Sequence, residues 1–309
     1  MFAGTRIKIK MFPIAFHSIY KHPLPEGHRF PMLKYDLLPQ QLLHEGTALQ
    51  SNFFAPEMCD IQHVLAVHTP AYVNDLLQLK LEPRAARKIG FPLSAQLIER
   101  ELRITQGTIT GCLEAFETGV AFNIAGGTHH AFTNRGEAFC MLNDQAIAAR
   151  YLIDQQLAKK ILIVDLDVHQ GNGTAEIFTN NKQVFTFSMH GQGNYPFKKE
   201  VSDLDIGLPD FTTDEQFLSI LNETLPTLIE QEKPDFIFFL AGVDILASDK
   251  LGKLSCTLEG CKKRDELVFT LCKKHGIPVQ VSMGGGYSPA IKTIIEAHAN
   301  TFRVASSIF

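Results

Sequence analysis

The chain lacks any apolar run near the ~20 residues that a membrane-spanning helix needs, and it has no excess of positive charge. Its 29 Lys and Arg stand against 33 Asp and Glu, for a net charge of -4 and a pI near 6.3. Neither a membrane nor a nucleic-acid partner is therefore expected. No Cys-x-x-Cys pair occurs among the six cysteines, Cys59, Cys112, Cys140, Cys256, Cys261 and Cys272. That spacing gives no zinc knuckle and no disulfide framework, so the thiols read as reduced and mostly buried. There is no internal repeat, no low-complexity tract and no Pro-, Gly- or Ser-rich linker long enough to divide 309 residues. After a few basic residues at 1–10, the run Met11-Phe12-Pro13-Ile14-Ala15-Phe16 is broken by Pro13 and stops at His17. It is too short for a secretory signal, and the expected location is cytoplasmic.

What the chain does have is 45% hydrophobic residues at a mean hydropathy of +0.01, arranged as strand-like runs alternating with segments of helical period. The runs 11–18, 63–67, 120–125, 161–168, 184–190, 235–243 and 278–283 predict strands, and 31–45, 69–80, 94–118, 145–158, 213–232, 257–275 and 288–300 predict helices. Thr213-Asp214 marks one helix start, and Gly276 after Lys273-Lys274-His275 marks a helix end. Such alternation is the pattern of a parallel sheet covered by helices on both faces. In an open sheet of this kind ligands bind beyond the carboxyl ends of the strands.

The chemistry-bearing residues all follow predicted strands. Asp165-Leu166-Asp167-Val168-His169 closes one apolar run and Asp244 closes another. Alternation along a strand would point Asp165, Asp167 and His169 the same way. The set Asp167, His169 and Asp244 makes a three-ligand site with a fourth position for water, the arrangement of a catalytic rather than a structural zinc. The bland alternative is an acidic strand end hydrogen-bonded to a neighbouring loop.

His129-His130 follow paired glycines at a strand exit and are a candidate acid/base pair. If Asp165 accepts from one ring it favours the imidazolium, whereas a neutral amide such as Asn172 orients the other ring with less effect on its pKa. Tyr287, in Gly284-Gly285-Gly286-Tyr287, reads either as a tight turn before a helix or, beside a metal, as a donor to a developing oxyanion.

The motifs Gly126-Gly127-Thr128-His129-His130, Phe139-Cys140-Met141-Leu142-Asn143-Asp144, Asp165-Leu166-Asp167-Val168-His169-Gln170-Gly171-Asn172-Gly173, Ala241-Gly242-Val243-Asp244 and Gly284-Gly285-Gly286-Tyr287 occur in that order. The chain thereby resembles the histone deacetylase family of the arginase/deacetylase superfamily from about Ile14 to Phe302, and is most similar to class IV deacetylases and their bacterial relatives. The resemblance implies one three-layer α/β/α domain, 1–309, with a central mostly parallel sheet. It implies Zn²⁺ on Asp167, His169 and Asp244, with His130 as general base and then acid backed by Asn172. His129, backed by Asp165, would be an electrostatic stabiliser, and Tyr287 the oxyanion donor.

The resemblance also implies a K⁺ ion held by Asp165, Ser188 and Met189 with the backbone of Asp167 and His169. It places Phe139 on the wall of an acyl-lysine tube; Tyr195, on proximity alone, is expected as the opposing aromatic, and Gly285 and Leu251 are expected to line the substrate site. Ala138, where many members carry Gly, is expected to narrow the tube or an internal pocket. Arg29, in the loop His22-Pro23-Leu24-Pro25-Glu26-Gly27-His28-Arg29-Phe30-Pro31, is expected to reach that pocket and bind the released carboxylate.

Gly171 offers no ligand for the second metal of an arginase. Leu251, seven residues past Asp244, replaces the acidic gatekeeper of acetylpolyamine deacetylases. The expected activity is removal of acetyl or longer acyl groups from acylated protein or peptide lysine. The alternatives are hydrolysis of a small acylated amine or an inactive acyl-lysine-binding module.

Overall fold

Among the described residues, eight short strands form one sheet in which every ladder is parallel. The computed structural model describes residues 12–309, so the basic segment 1–10 and the first residue of the expected strand 11–18 lie outside the described residues. The strands are β1 Ile14–Ala15, β2 Phe53–Phe54, β3 Val120–Asn123, β4 Ile161–Asp165, β5 Val184–Gly191, β6 Leu204–Leu208, β7 Phe236–Leu240 and β8 Val279–Ser282. They lie in the order β2-β1-β3-β8-β7-β4-β5-β6. The helices are α1 Lys34–His44, α2 Ile61–Leu65, α3 Pro70–Leu77, α4 Pro83–Ile89, α5 Ala95–Thr118, α6 Asp144–Asp154, α7 Asn172–Ile177, α8 Asp214–Glu232, α9 Leu258–His275 and α10 Ile291–Ile308.

Alternation along β7 displays the two faces of the sheet. Phe236 meets Phe116 of α5 on one side, and Phe239 meets Phe269 of α9 on the other. Phe122 of β3 stacks on Phe302 of α10 with ring centroids 4.3 Å apart. Both faces are thus covered by helices, which is why these four central strands are buried at every residue, the polar Asn123, Gln280 and Ser282 included.

One row of paired residues runs across five strands: Asn123, Ser282, Leu240, Asp165 and Ser188. It sets the level at which β3, β8, β7 and β4 finish together. The loops that leave just above this row carry the histidine pair, the Gly-Tyr turn, Asp244 and the Asp-x-His motif.

The expected strand at 63–67 is a correction, because its residues lie in and beyond α2. Asp60 caps that helix by accepting the Gln62 N–H at 2.9 Å, and a short apolar run does not by itself distinguish the two states. The edge strands β2 and β6 and the short helices α4 and α7 have no counterpart in the sequence reading. The terminal helix begins at Ile291 and runs to Ile308, beyond the expected 288–300. All six cysteines are buried and free.

His68, in the turn between α2 and α3, ties down the segment between β3 and α6. Its Nδ1 lies 2.8 Å from the Phe132 carbonyl and its Nε2 accepts the Asn143 N–H at 3.0 Å, so one neutral tautomer satisfies both. Burial lowers its pKa to about 4, against the opposing pull of the backbone carbonyls. The unfolded chain, with an ordinary value of about 6.5, binds more protons between those limits. Stability therefore falls as pH drops from 6.5 towards 4. We expect a loss of roughly 2 kcal/mol between pH 7 and pH 5 from this group. Thermal melts of wild type and His68→Gln across that range check it: the variant starts less stable but has the flatter acid limb.

Candidate metal centre and active site

The Asp-x-Asp-x-His motif is shaped by hydrogen bonds rather than by strand alternation, because β4 ends at Asp165 and residues 166–169 leave the ladder. This corrects the co-facial strand expectation. Asp165 Oδ1 accepts the Asp167 N–H at 3.2 Å, and Asp167 Oδ1 accepts the His169 N–H at 3.0 Å. Asp244 Oδ1 accepts the Val168 N–H at 3.0 Å, tying the loop after β7 to the loop after β4. The result still brings the three expected ligands together. His169 Nδ1 stands 3.0 Å from Asp167 Oδ1 and 3.1 Å from Asp244 Oδ2, and one ligand atom from each residue lies within 4.8 Å of the others.

All three side chains are buried. Burial, reinforced by the charge of Asp167, pushes the Asp244 carboxyl up to about 7, while burial is outweighed at His169 by the two carboxylates, which raise it to about 10. Two carboxylates and an imidazole nitrogen converging at one buried point form a donor set that a divalent cation satisfies. Gly285 completes the cradle. Its N–H donates to Asp167 Oδ2 at 2.8 Å, and a Cβ there would collide with the Asp244 carboxylate. Gly171 likewise has no room for a side chain, since a Cβ would strike Asp165 Oδ2.

The histidines take unequal partners. His129 Nδ1 is 2.7 Å from Asp165 Oδ2, and His130 Nδ1 is 2.6 Å from Asn172 Oδ1. Burial opposes the charge on both rings. At His129 the charge and hydrogen bond of Asp165 outweigh it and raise the pKa, whereas His130, with no carboxylate of its own and with His129 and His169 nearby, is held well below 6.5. The His130 ring lies 5.9 Å from that of His169, and Tyr287 lies 6.5 Å from His169 on another side. Burial and the charges of Asp244 and Asp167 push the Tyr287 phenol well above 10, so it keeps its proton.

A cavity of about 650 Å³ leads to this cluster. Phe139, Ala138, Tyr195, Leu251, Phe30 and Arg29 line it. Ala138 and Phe139 have φ of +45° and +69°, and their N–H groups donate to the carbonyls of Lys88 and Ile89 at 2.9 and 2.7 Å. A left-handed backbone at a residue bearing Cβ costs about 1 kcal/mol, and these two bonds hold the wall there. Tyr195 stands edge-on to His130 at 5.0 Å and donates its hydroxyl to Glu137 Oε2 at 2.6 Å. Tyr287 also lies beside Phe139, with ring centroids 6.1 Å apart.

A family model for the histone deacetylase domain matches residues 28–302. The chain belongs to the histone deacetylase family. It is 45% identical over 298 residues to an uncharacterized protein of Picosynechococcus sp., covering 96% of this chain and 99% of that one. It is also 27% identical to Histone deacetylase 2 of Arabidopsis thaliana, over 87% of this chain and 72% of the relative. A crystal structure of an HDAC homologue complexed with SAHA superposes with a TM-score of 0.83 at 26% identity, covering 97% of this chain and 85% of the other. The all-parallel α/β fold is thus that of solved histone deacetylase homologues, and the protein is a deacetylase-family hydrolase.

One expected residue of this family member is placed differently. Arg29 is exposed at the mouth, its guanidinium 5.0 Å from the Phe139 ring centre, and does not reach an inner pocket. The buried guanidinium that lines the cavity is Arg100 of α5, which donates Nε to the Tyr20 carbonyl at 2.7 Å and pairs with Glu101. Charged residues at core positions of an apolar helical stripe, between Leu97 and Ile104, were the available signal. Ser188 Oγ lies 2.9 Å from His190 Nδ1, and Met189 is fully buried beside it.

Asp249 carried no sequence signal at all. Its Oδ2 accepts the Tyr287 N–H at 2.5 Å, and its Oδ1 accepts the N–H groups of Leu251 and Gly252 at 2.8 and 2.9 Å. One carboxylate therefore holds both the phenol and the Leu251 wall. Asp249→Asn presents an N–H where one of these donors points, and we expect kcat to fall about tenfold or more with little change in inhibitor affinity. Steady-state kinetics with parallel inhibitor titration check this, and a loss confined to KM would remove the positioning role.

Proposed function

We propose that this protein is a zinc-dependent hydrolase that removes acetyl or longer acyl groups from the side-chain amine of lysine in proteins or peptides. The observation that carries the reading is the Asp167, His169 and Asp244 cluster, with His130 and Tyr287 beside it at the end of one apolar-walled cavity. Three oxygen and nitrogen donors suit Zn²⁺ with a position left open. When bound, the metal would polarise the acyl carbonyl and make a water acidic enough to attack at neutral pH.

The protein's own groups account for the remaining steps. Neutral His130, oriented by Asn172, takes the proton of the attacking water and returns it to the departing lysine amine. Protonated His129 opposes the negative charge that accumulates, and Tyr287 donates to the developing oxyanion. A K⁺ ion held by Asp165, Ser188, Met189 and the backbone of Asp167 and His169 belongs to the same reading. A module that only binds acyl-lysine has no use for two differently tuned histidines and a phenol kept protonated.

Acetyl-, octanoyl- and myristoyl-lysine peptides, with an acetylpolyamine as control, test the proposal. Turnover of at least one peptide, lost on chelation and restored by Zn²⁺, is the expected result. Failure of the metal-loaded protein to cleave any of them, or turnover indifferent to chelation, overturns it.

A further inference from the structure

The mouth of the cavity is lined by cations from three separate segments of a chain whose net charge is negative. Arg29 comes from the loop before α1, Lys88 from the end of α4 and Lys253 from the loop after β7. All three are exposed, and each segment is tied to the wall or its surroundings. The Lys88 carbonyl accepts the Ala138 N–H at 2.9 Å, and the Lys253 carbonyl accepts the Phe211 N–H at 2.7 Å. Arg29 lies against the Phe139 ring and has no carboxylate within ion-pair distance among the described residues.

Acidic groups balance these charges only in part, through solvated pairs at Lys88 and Lys253. Apart from Asp167 and Asp244 of the proposed metal site, the only acid lining the cavity among the described residues is Glu137, and it is already engaged by the Tyr195 hydroxyl at 2.6 Å and Arg135 Nε at 3.0 Å. Lys88 approaches that same carboxylate at 3.6 Å, and Lys253 approaches the half-exposed Asp210 at 3.5 Å. Solvated pairs of this kind are weak and are readily exchanged for another partner. Phe197, 90% exposed, stands on the same rim and offers apolar contact beside the charges.

We propose that this rim is a docking surface for acidic polypeptide, so that the acyl-lysines preferred by the enzyme lie in Asp- and Glu-rich sequence. The inference rests on the acyl-lysine reading above and adds the chemical class of the flanking residues. Cations spaced around a low-dielectric opening attract a negative chain before the acyl group enters, and salt weakens that attraction.

The test uses one acetyl-lysine peptide in three versions, with Glu, Gln or Lys on both flanks. Binding by fluorescence anisotropy and kcat/KM are measured at low and at high salt. The Glu version is expected to exceed the Lys version about tenfold in both readouts at low salt, with the gap closing in high salt. Lys253→Glu and Arg29→Glu are expected to shrink or invert the ratio. Because the ratio is read within each variant, a general loss of activity cancels. Equal binding of all three versions, or a ratio unmoved by both reversals, overturns the proposal. An intact binding preference without turnover would instead sink the hydrolase reading and leave the rim assignment standing.

Discussion

Tyr287→Phe is expected to lower kcat by about 10²–10³-fold while leaving affinity for a ground-state acyl-lysine analogue nearly unchanged. The substitution removes one oxygen and keeps the ring, whose packing against Phe30 and Phe139, each at 6.1 Å, does not involve the hydroxyl. Its backbone bond to Asp249 also survives. What disappears is a donor that burial keeps protonated far above its ordinary range. Such a donor matters most when charge develops on the acyl oxygen, so the loss belongs to kcat rather than to KM. Single-turnover rates beside equilibrium binding decide the point. Equal losses in both would make the phenol a simple binding contact.

His130→Ala is expected to cost about 10²–10⁴-fold in turnover, the range for removing a general acid or base. Asn172→Ala, which frees the ring without deleting it, should cost less. The two histidines occupy adjacent positions with rings 4.1 Å apart, yet their partners separate their roles. Asp165 supplies a charge that favours the imidazolium at His129, while the Asn172 amide supplies orientation to His130 without charge. Asp165→Asn should therefore move His129 towards neutrality and leave Asp167, His169 and Asp244 in place, a change that histidine NMR titration reads directly. If His130→Ala retained more than a tenth of wild-type turnover, the proton would have to travel by another group.

The reasons for the misses in the sequence reading differ from place to place. Long apolar runs such as Ile161–Asp165 and Phe236–Leu240 announce themselves because both faces of a central parallel strand are buried. Leu204–Leu208 sits at the sheet edge with a partner on one side only and mixed exposure, so it carries no such run. The stretch 63–67 was too short for its period to separate helix from strand. Arg29 suggested an internal role from the resemblance and from the fit of a guanidinium to a carboxylate, but placing it needed the contact with Phe139. Arg100, by contrast, was visible in principle as a charge on the buried stripe of α5.

By itself the sequence carried most of the alternation of strands and helices and marked Asp167, His169 and Asp244 as candidate ligands, which the structure brings together; it offered Asp165 and Asn172 as histidine partners only conditionally. These follow from residue identity and order, because burial periodicity and ligand chemistry are written locally. Only the tertiary structure decided that four loops rise from one level row of the sheet, that Asp249 grips Tyr287 from 38 residues away, and that cations from three segments meet at the mouth. Those depend on which distant segments the packed core brings side by side, and no local pattern encodes a distance across the fold.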